Sequence, residues 1–147
     1  MVTDIKIGKY SELGKDAREI RNSVFCQEQK IDIAIERDEH DLTATFVVIY
    51  DENSPVATGR IILKDNQYII GRIATLKTYR GKGLGKLVVV SLLDWAFKNN
   101  VSEVIVHAQK HAEEFYKKIG FSSFGYSYFE AGKKHINMTI KNNYNNY

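Results

Sequence analysis

The chain has 147 residues, a hydrophobic fraction of 44%, a charged fraction of 27% and a formal net charge of +3. That is enough for one domain with a real core and no staples, and too weak a charge to argue for nucleic acid. No apolar run approaches a membrane span, Met1-Val2-Thr3-Asp4 lacks a signal-peptide pattern, and the single Cys26 excludes an internal disulfide or a cysteine-built zinc cluster. No membrane or nucleic-acid partner is therefore expected, and a cytoplasmic location follows as the default.

Thr3 to Tyr10 reads as a first strand, with Ile5 and Ile7 on one face. Ala17, Ile20, Val24 and Phe25 recur at helical spacing and predict a helix over Leu13 to Gln29. Cys26, beside Val24 and Phe25, reads as a small hydrophobe rather than a nucleophile. Lys30 to Asp41 is a loop or short helix dense in carboxylates. It is either a solvated face or an acidic wall that attracts a cationic amine. Thr45 to Tyr50 and Val56 to Lys64 read as antiparallel strands joined by the turn residues Asp51 to Pro55. After Asp65-Asn66, Gln67 to Leu76 completes a meander. This last strand is nearly all apolar, so burial on both faces is expected, with Arg72 needing a partner.

Leu84, Leu87, Val88, Leu92, Trp95 and Ala96 mark one face of a helix from Gly83 to Asn99. Val101 to Ala108 is a fifth strand, parallel to the fourth through a right-handed crossover. His111 to Ile119 is a short helix stopped by Gly120, and Phe121 to Phe129 with His135 to Lys141 forms a closing hairpin. No repeat or linker divides the chain, so 1–141 reads as one domain. Residues 142–147 read as a disordered, low-complexity tail with no core to join.

One stretch organises the rest. The apolar run Ile73-Ala74-Thr75 passes into Arg80-Gly81-Lys82-Gly83-Leu84-Gly85-Lys86, and a helix follows at once. Glycines let backbone N–H groups approach a ligand closely, and a helix start adds its positive dipole end, which together make a pyrophosphate cradle. A Walker A loop is excluded, because Leu87 follows Lys86 and Arg80 stands where its first glycine belongs. The dinucleotide fingerprint fails too, since its last glycine would fall on Lys86 or Val88. The bland alternative is a turn whose glycines only permit tight packing. A second constellation is Ala112-Glu113-Glu114-Phe115-Tyr116-Lys117-Lys118-Ile119-Gly120-Phe121.

Arg80-x-x-Gly83-x-Gly85 after a strand, with Ala112-x-x-Phe115-Tyr116 downstream, resembles the GCN5-related N-acetyltransferases. Val24-Phe25 with Glu28-Gln29, Glu36-x-Asp38-x-x-Asp41 and His107-Ala108-Gln109 look like the ElaA/YjcF-like group. The resemblance implies an α/β (α+β) fold: a mixed, mostly antiparallel sheet of six to seven strands, helices on both faces, and a parallel central pair splayed at the cofactor site. It implies acetyl-CoA as cofactor and transfer of its acetyl group to a small-molecule or protein amine, with no metal. A homodimer is common in such a family. Ile73, Ala74 and Thr75 would offer backbone groups to the pantetheine arm, Arg80 through Lys86 would hold the pyrophosphate, and Gln109 would contact the cofactor.

By the same resemblance, a fourth-strand N–H would stabilise the oxyanion and Tyr116 would protonate the leaving thiolate. Glu28 and Asp38 are the substrate-binding candidates. Gly71 and Arg72 stand where relatives often carry a glutamate base, so no base transfers, and His107 is preferred at the reactive end. A satisfied structural histidine is the alternative there. A non-catalytic acyl-CoA-binding module and a basic nucleic-acid binder using Lys77 to Lys86 are the competing readings. The latter lacks interleaved aromatic residues.

Overall fold

The computed structural model describes residues 1–143, and 144–147 of the expected tail lie outside them. Seven strands form one sheet: β1 (Asp4–Gly8), β2 (Thr45–Asp51), β3 (Ser54–Lys64), β4 (Gln67–Thr75), β5 (Glu103–Gln109), β6 (Ser122–Glu130) and β7 (Lys133–Lys141). Their spatial order is β1-β2-β3-β4-β5-β7-β6. Neighbours are antiparallel except β4 and β5, which are parallel as expected. The helices are α1 (Tyr10–Arg21), α2 (Ile33–Glu36), α3 (Leu84–Lys98) and α4 (Glu113–Ile119). None is long and apolar enough to cross a membrane.

The hairpins follow from turn chemistry. Asp65 and Asn66 are both left-handed (φ 51° and 64°) between the paired residues Lys64 and Gln67. Two left-handed central residues match the right-handed twist of the strands they join. Ala131 and Gly132 (φ 52° and 75°) do the same between Glu130 and Lys133, so the closing turn is two residues and Lys133-Lys134 belong to β7.

The sheet has a core on each face. On one, α3 lays Val88, Val89 and Leu92 on Val47, Ile49, Ile61, Ile70, Val104, Val106 and Met138. Gly59 permits this approach, because a Cβ there would fall 2.5 Å from Val88 Cγ1. On the other, α1 packs Leu13, Ala17 and Ile20 on Phe46, Val48 and Tyr50. The strand covered on both faces is therefore β2, whose successive side chains alternate between the two cores. The expectation had placed that role on β4, which is only partly buried because its far half leaves β5.

Two boundaries also differ. Tyr10 begins α1 rather than ending β1, and the helix expected to run to Gln29 turns into a π-helix over Asn22–Glu28. The tail does find a core at its first residue. Asn142 is buried, its backbone N–H donates to Ser102 O at 2.8 Å, and its side-chain amide donates to Val101 O at 3.1 Å.

Candidate active site

The site begins where two strands part. β4 and β5 pair only through Tyr68↔Val104, Ile69↔Ile105 and Ile70↔Val106. Beyond Ile70, β4 stays with β3 on its other edge, through Thr58↔Ala74 and Ala57↔Thr75, after a register shift opposite Gly59. Arg72 sits in that irregularity at φ 51°. A bulge of this kind bends the strand and increases its twist. Among the described residues, the β5-side edge of Ile73-Ala74-Thr75 is thereby left without a strand partner.

The opening runs into the glycine turn. A cleft of about 250 Å³ lies between Thr75, Arg80, the Gly83–Lys86 segment and Phe115. Gly81 and Gly83 are left-handed (φ 78° and 79°), and a Cβ on either would meet nothing within 4 Å. These two glycines serve backbone conformation and not packing, which disposes of the bland reading for them. Gly83 is the N-cap of α3 and provides no side-chain cap, so the first N–H groups of the helix lack intrahelical acceptors at the cleft wall. Tyr79 is fixed by its hydroxyl donating to Asp51 Oδ2 at 2.6 Å, and Lys82 Nζ lies 5.4 Å from its ring.

Arg80 is already engaged. Its Nη1 and Nη2 donate to the two Glu28 oxygens at 2.6 and 2.7 Å, and its Nε donates to Thr75 O at 3.0 Å. The hydrogen bond from Arg80 is the main cause that lowers the Glu28 carboxyl below its ordinary value. The substrate-binding candidate Glu28 thus stands at the glycine turn, held there by the end of the π-helix.

Three carboxylates of the acidic segment, Glu36, Asp38 and Asp41, are turned inward, while Asp32 and Glu39 stay exposed. Asp41 accepts from Arg21 Nη1 at 2.8 Å, Arg60 Nη1 at 2.7 Å and Arg18 Nε at 3.1 Å. Glu36 accepts from Arg21 Nε at 2.7 Å, and Asp38 accepts from Arg60 at 2.6 and 2.8 Å. Arg72 finds its expected partners in the same network, donating to Glu36 O at 3.1 Å and Asp38 Oδ2 at 3.2 Å. Burial opposes ionisation of Asp38, but the hydrogen bonds and charge of Arg60, then Arg72, bring its carboxyl down to about 2. Neither a solvated face nor an acidic wall describes Glu36, Asp38 and Asp41, and Asp32 accepts from Ala34 N at the start of α2. Arg18, Arg21 and Arg60 were not foreseen. Their signal was a charge set within apolar stripes, at Ala17-Ile20-Arg21-Val24 and Val56-Ala57-Arg60-Ile61.

His107 and Tyr116 lie on opposite faces of the sheet. Val104, Val106 and Ala108 point into the α3 core, so His107 points to the α1 face, directly opposite Asn137. The His107 side chain is exposed to solvent. The desolvation that its remaining contacts impose is the main cause that lowers its imidazolium below the ordinary 6.5, with Glu130 opposing and Lys64 and His135 assisting. Asn137 accepts from the Tyr128 hydroxyl, whose ring stacks on His135. Tyr116 packs on the α3 side, edge-on to Phe115 at 5.0 Å and to Phe121 at 5.6 Å. Burial pushes its phenol up to about 12, which keeps it protonated at neutral pH. Gln109 ends β5 beside His111, its Oε1 2.9 Å from His111 Nε2. Cys26 is half-buried, and no group of metal-ligating side chains occurs among the described residues.

Comparison with known proteins bears on this architecture. Residues 10–142 match the acetyltransferase (GNAT) domain model. The Bacillus subtilis uncharacterized N-acetyltransferase YjcF is 35% identical over 133 residues, spanning 90% of this chain and 95% of the relative. YyaT of the same organism, itself uncharacterized, is 35% identical over 127 residues, spanning 84% and 86%. Escherichia coli ElaA superposes with a TM-score of 0.85 at 26% identity, over 96% of this chain and 100% of that one. An acyl-CoA N-acyltransferase from Pseudomonas aeruginosa gives 0.85 at 25%, over 95% and 99%. A parallel strand pair that parts beside a glycine turn, matched across nearly the whole chain by this domain and these relatives, places the chain in the GNAT acetyltransferase family.

Proposed function

We propose that the chain transfers an acetyl group from acetyl-CoA to a primary amine, with both molecules bound at once. The observation that carries this is the parting of β4 from β5 after Ile70↔Val106, with an uncapped helix start on one side and His107 on the other. The turn fits a pyrophosphate: first-turn N–H groups of α3 that are free among the described residues, open space at Gly81 and Gly83, Arg80 and Lys86 at the cleft, and Lys82 over the Tyr79 ring beside it. Acetyl-CoA supplies the thioester from which the acetyl group passes to nitrogen. Ile73, Ala74 and Thr75 hold the arm through their unpaired backbone edge, and Gln109 borders it from β5.

The chain's own part in the chemistry is proton movement. An amine is protonated at neutral pH and must lose a proton before it can attack. His107, with its imidazolium disfavoured, accepts that proton on the α1 face. Tyr116, kept as a phenol, donates a proton from its hydroxyl to the departing sulfur on the α3 face. A base and an acid on opposite sides of the sheet keep the two transfers apart.

Isothermal titration with acetyl-CoA, together with a thiol-release assay over diverse amines, tests this reading. His107→Ala and Tyr116→Phe are each expected to lower turnover about a hundredfold, the lower range for general acid–base groups, with cofactor affinity retained. The acid limb of the kcat/KM profile is expected below the ordinary histidine value of 6.5 and absent in His107→Ala. Cofactor binding without release of thiol by any amine leaves a non-catalytic acyl-CoA-binding module, and undiminished turnover in both variants removes their roles.

A further inference from the structure

The mouth of the opening on the α1 face carries surplus positive charge. The connected network there holds Arg18, Arg21, Arg60 and Arg72 against Glu36, Asp38 and Asp41, four cations to three carboxylates. Glu28, at the end of the π-helix, is taken by Arg80. The surplus is not spread evenly. Arg21 and Arg60 are 1% and 4% exposed and bind carboxylates at 2.8 Å or less, whereas the Arg72 side chain is 31% exposed and reaches side-chain carboxylates only at 3.2 and 3.4 Å.

The cause is competition for one acceptor. Asp38 gives both oxygens to Arg60, and Arg72 shares what is left of one of them. Nη1 of Arg72 makes no hydrogen bond among the described residues. Burial and the Arg60 charge push the Arg72 guanidinium below its ordinary value, while Arg60, though burial opposes it, is raised by Asp38 and Asp41. Arg72 is the most exposed arginine of the network and holds its carboxylates at the longest distances, while Arg18, 24% exposed on α1, keeps Asp41 at 3.1 Å. Glu130, which acts on His107, forms no pair with Arg72 among the described residues.

The position of Arg72 gives that exposure a use. Arg72 follows the last paired residue of β4, Ile70, by two positions, and His107 follows the last paired residue of β5, Val106, by one. Both side chains lie on the α1 face, one on each strand where the strands separate. We propose that Arg72 binds an anionic oxygen group of the acceptor, so that the substrate class is amines bearing a carboxylate or phosphate rather than polycations. This rests on the acetyl-transfer reading above. A guanidinium fork matches either anion and holds it in a fixed plane.

Matched pairs decide it: amino acids against their amides, and phosphoethanolamine against ethanolamine, assayed for thiol release with acetyl-CoA. A preference in kcat/KM of about tenfold or more for the anionic member of at least one pair is expected, as for a charge-assisted hydrogen bond. The pair that responds tells carboxylate from phosphate. Arg72→Gln is expected to raise KM for the anionic member until the preference falls within about twofold, and Arg72→Lys to keep part of it. A general loss of packing would lower both members alike. A wild-type preference for the neutral or dicationic amines, or a preference that survives Arg72→Gln, overturns the proposal. If acetyl-CoA binds but no amine releases thiol, the transfer reading fails instead. Titrating the anionic members into the CoA-saturated protein then decides this one, binding lost in Arg72→Gln supporting it and no binding overturning it.

Discussion

Two arginine–carboxylate contacts meet at this site and differ in almost everything but their chemistry. Arg80 and Glu28 form a two-pronged pair with side chains 40% and 38% exposed. Arg21, Arg60, Glu36 and Asp41 form their pairs at 4% exposure or less. Water competes for the first pair, so it contributes little to stability and can exchange its carboxylate for another anion. The second has no such competitor. Each member there requires the others, because removing one leaves a charge in a medium that cannot solvate it. The exposed pair can therefore exchange partners, and the buried set fixes the segment between the π-helix and β2.

The largest effect is expected from breaking the buried set. Asp41→Asn leaves Arg18, Arg21 and Arg60 sharing too few carboxylates and should cost about 3–5 kcal/mol, read by chemical denaturation. A loss comparable to that of a surface pair would mean that water reaches the cluster. Acid should act more gently on its rim. Asp38 has a folded value of about 2 against an ordinary 3.8. Its stabilisation is present above pH 3.8 and lost as the pH falls through 2. At most about 2 kcal/mol is at stake, since the side chain is partly hydrated. Denaturation midpoints of wild type and Asp38→Asn should converge over that interval.

The smallest effect on stability belongs to Glu28→Gln, which should leave the denaturation midpoint almost unmoved. It should nonetheless tighten acetyl-CoA binding severalfold at low salt, because Arg80 no longer has a resident anion to exchange. Weaker binding in this variant would show that Glu28 orients Arg80 for the cofactor instead of competing with it.

What was legible in the sequence was what a single element declares about itself. The Leu84-Val88-Leu92 stripe of α3, the glycines before it and Phe115-Tyr116 after it each report their own conformation, and all fell where expected. Burial on both faces is a property of neighbours. It was assigned to β4, whose residues are apolar, when the covering helices lie over β2. The charge run from Asp32 to Asp41 failed for the same reason. Asp32 and Glu39 are solvated, but Glu36 and Asp41 look so only until Arg21 and Arg60, 15 or more positions away in the chain, are placed against them. Arg72 was read as a residue in need of a partner, and its left-handed backbone, which aims it at that partner, leaves no mark on composition or periodicity.

The π-helix at Asn22–Glu28 sets a rule for how this segment can vary. Its wider turns, closed by Gln29 N–H donating to Val24 O at 3.0 Å, deliver Glu28 on a bearing that the narrower helix of α1 would not give. Deleting one residue between Asn22 and Gln27 would let the narrower repeat run on and swing the carboxylate away from Arg80. Insertions and deletions here should be purged even where substitutions are tolerated, so the count of residues in this stretch matters more than their identity.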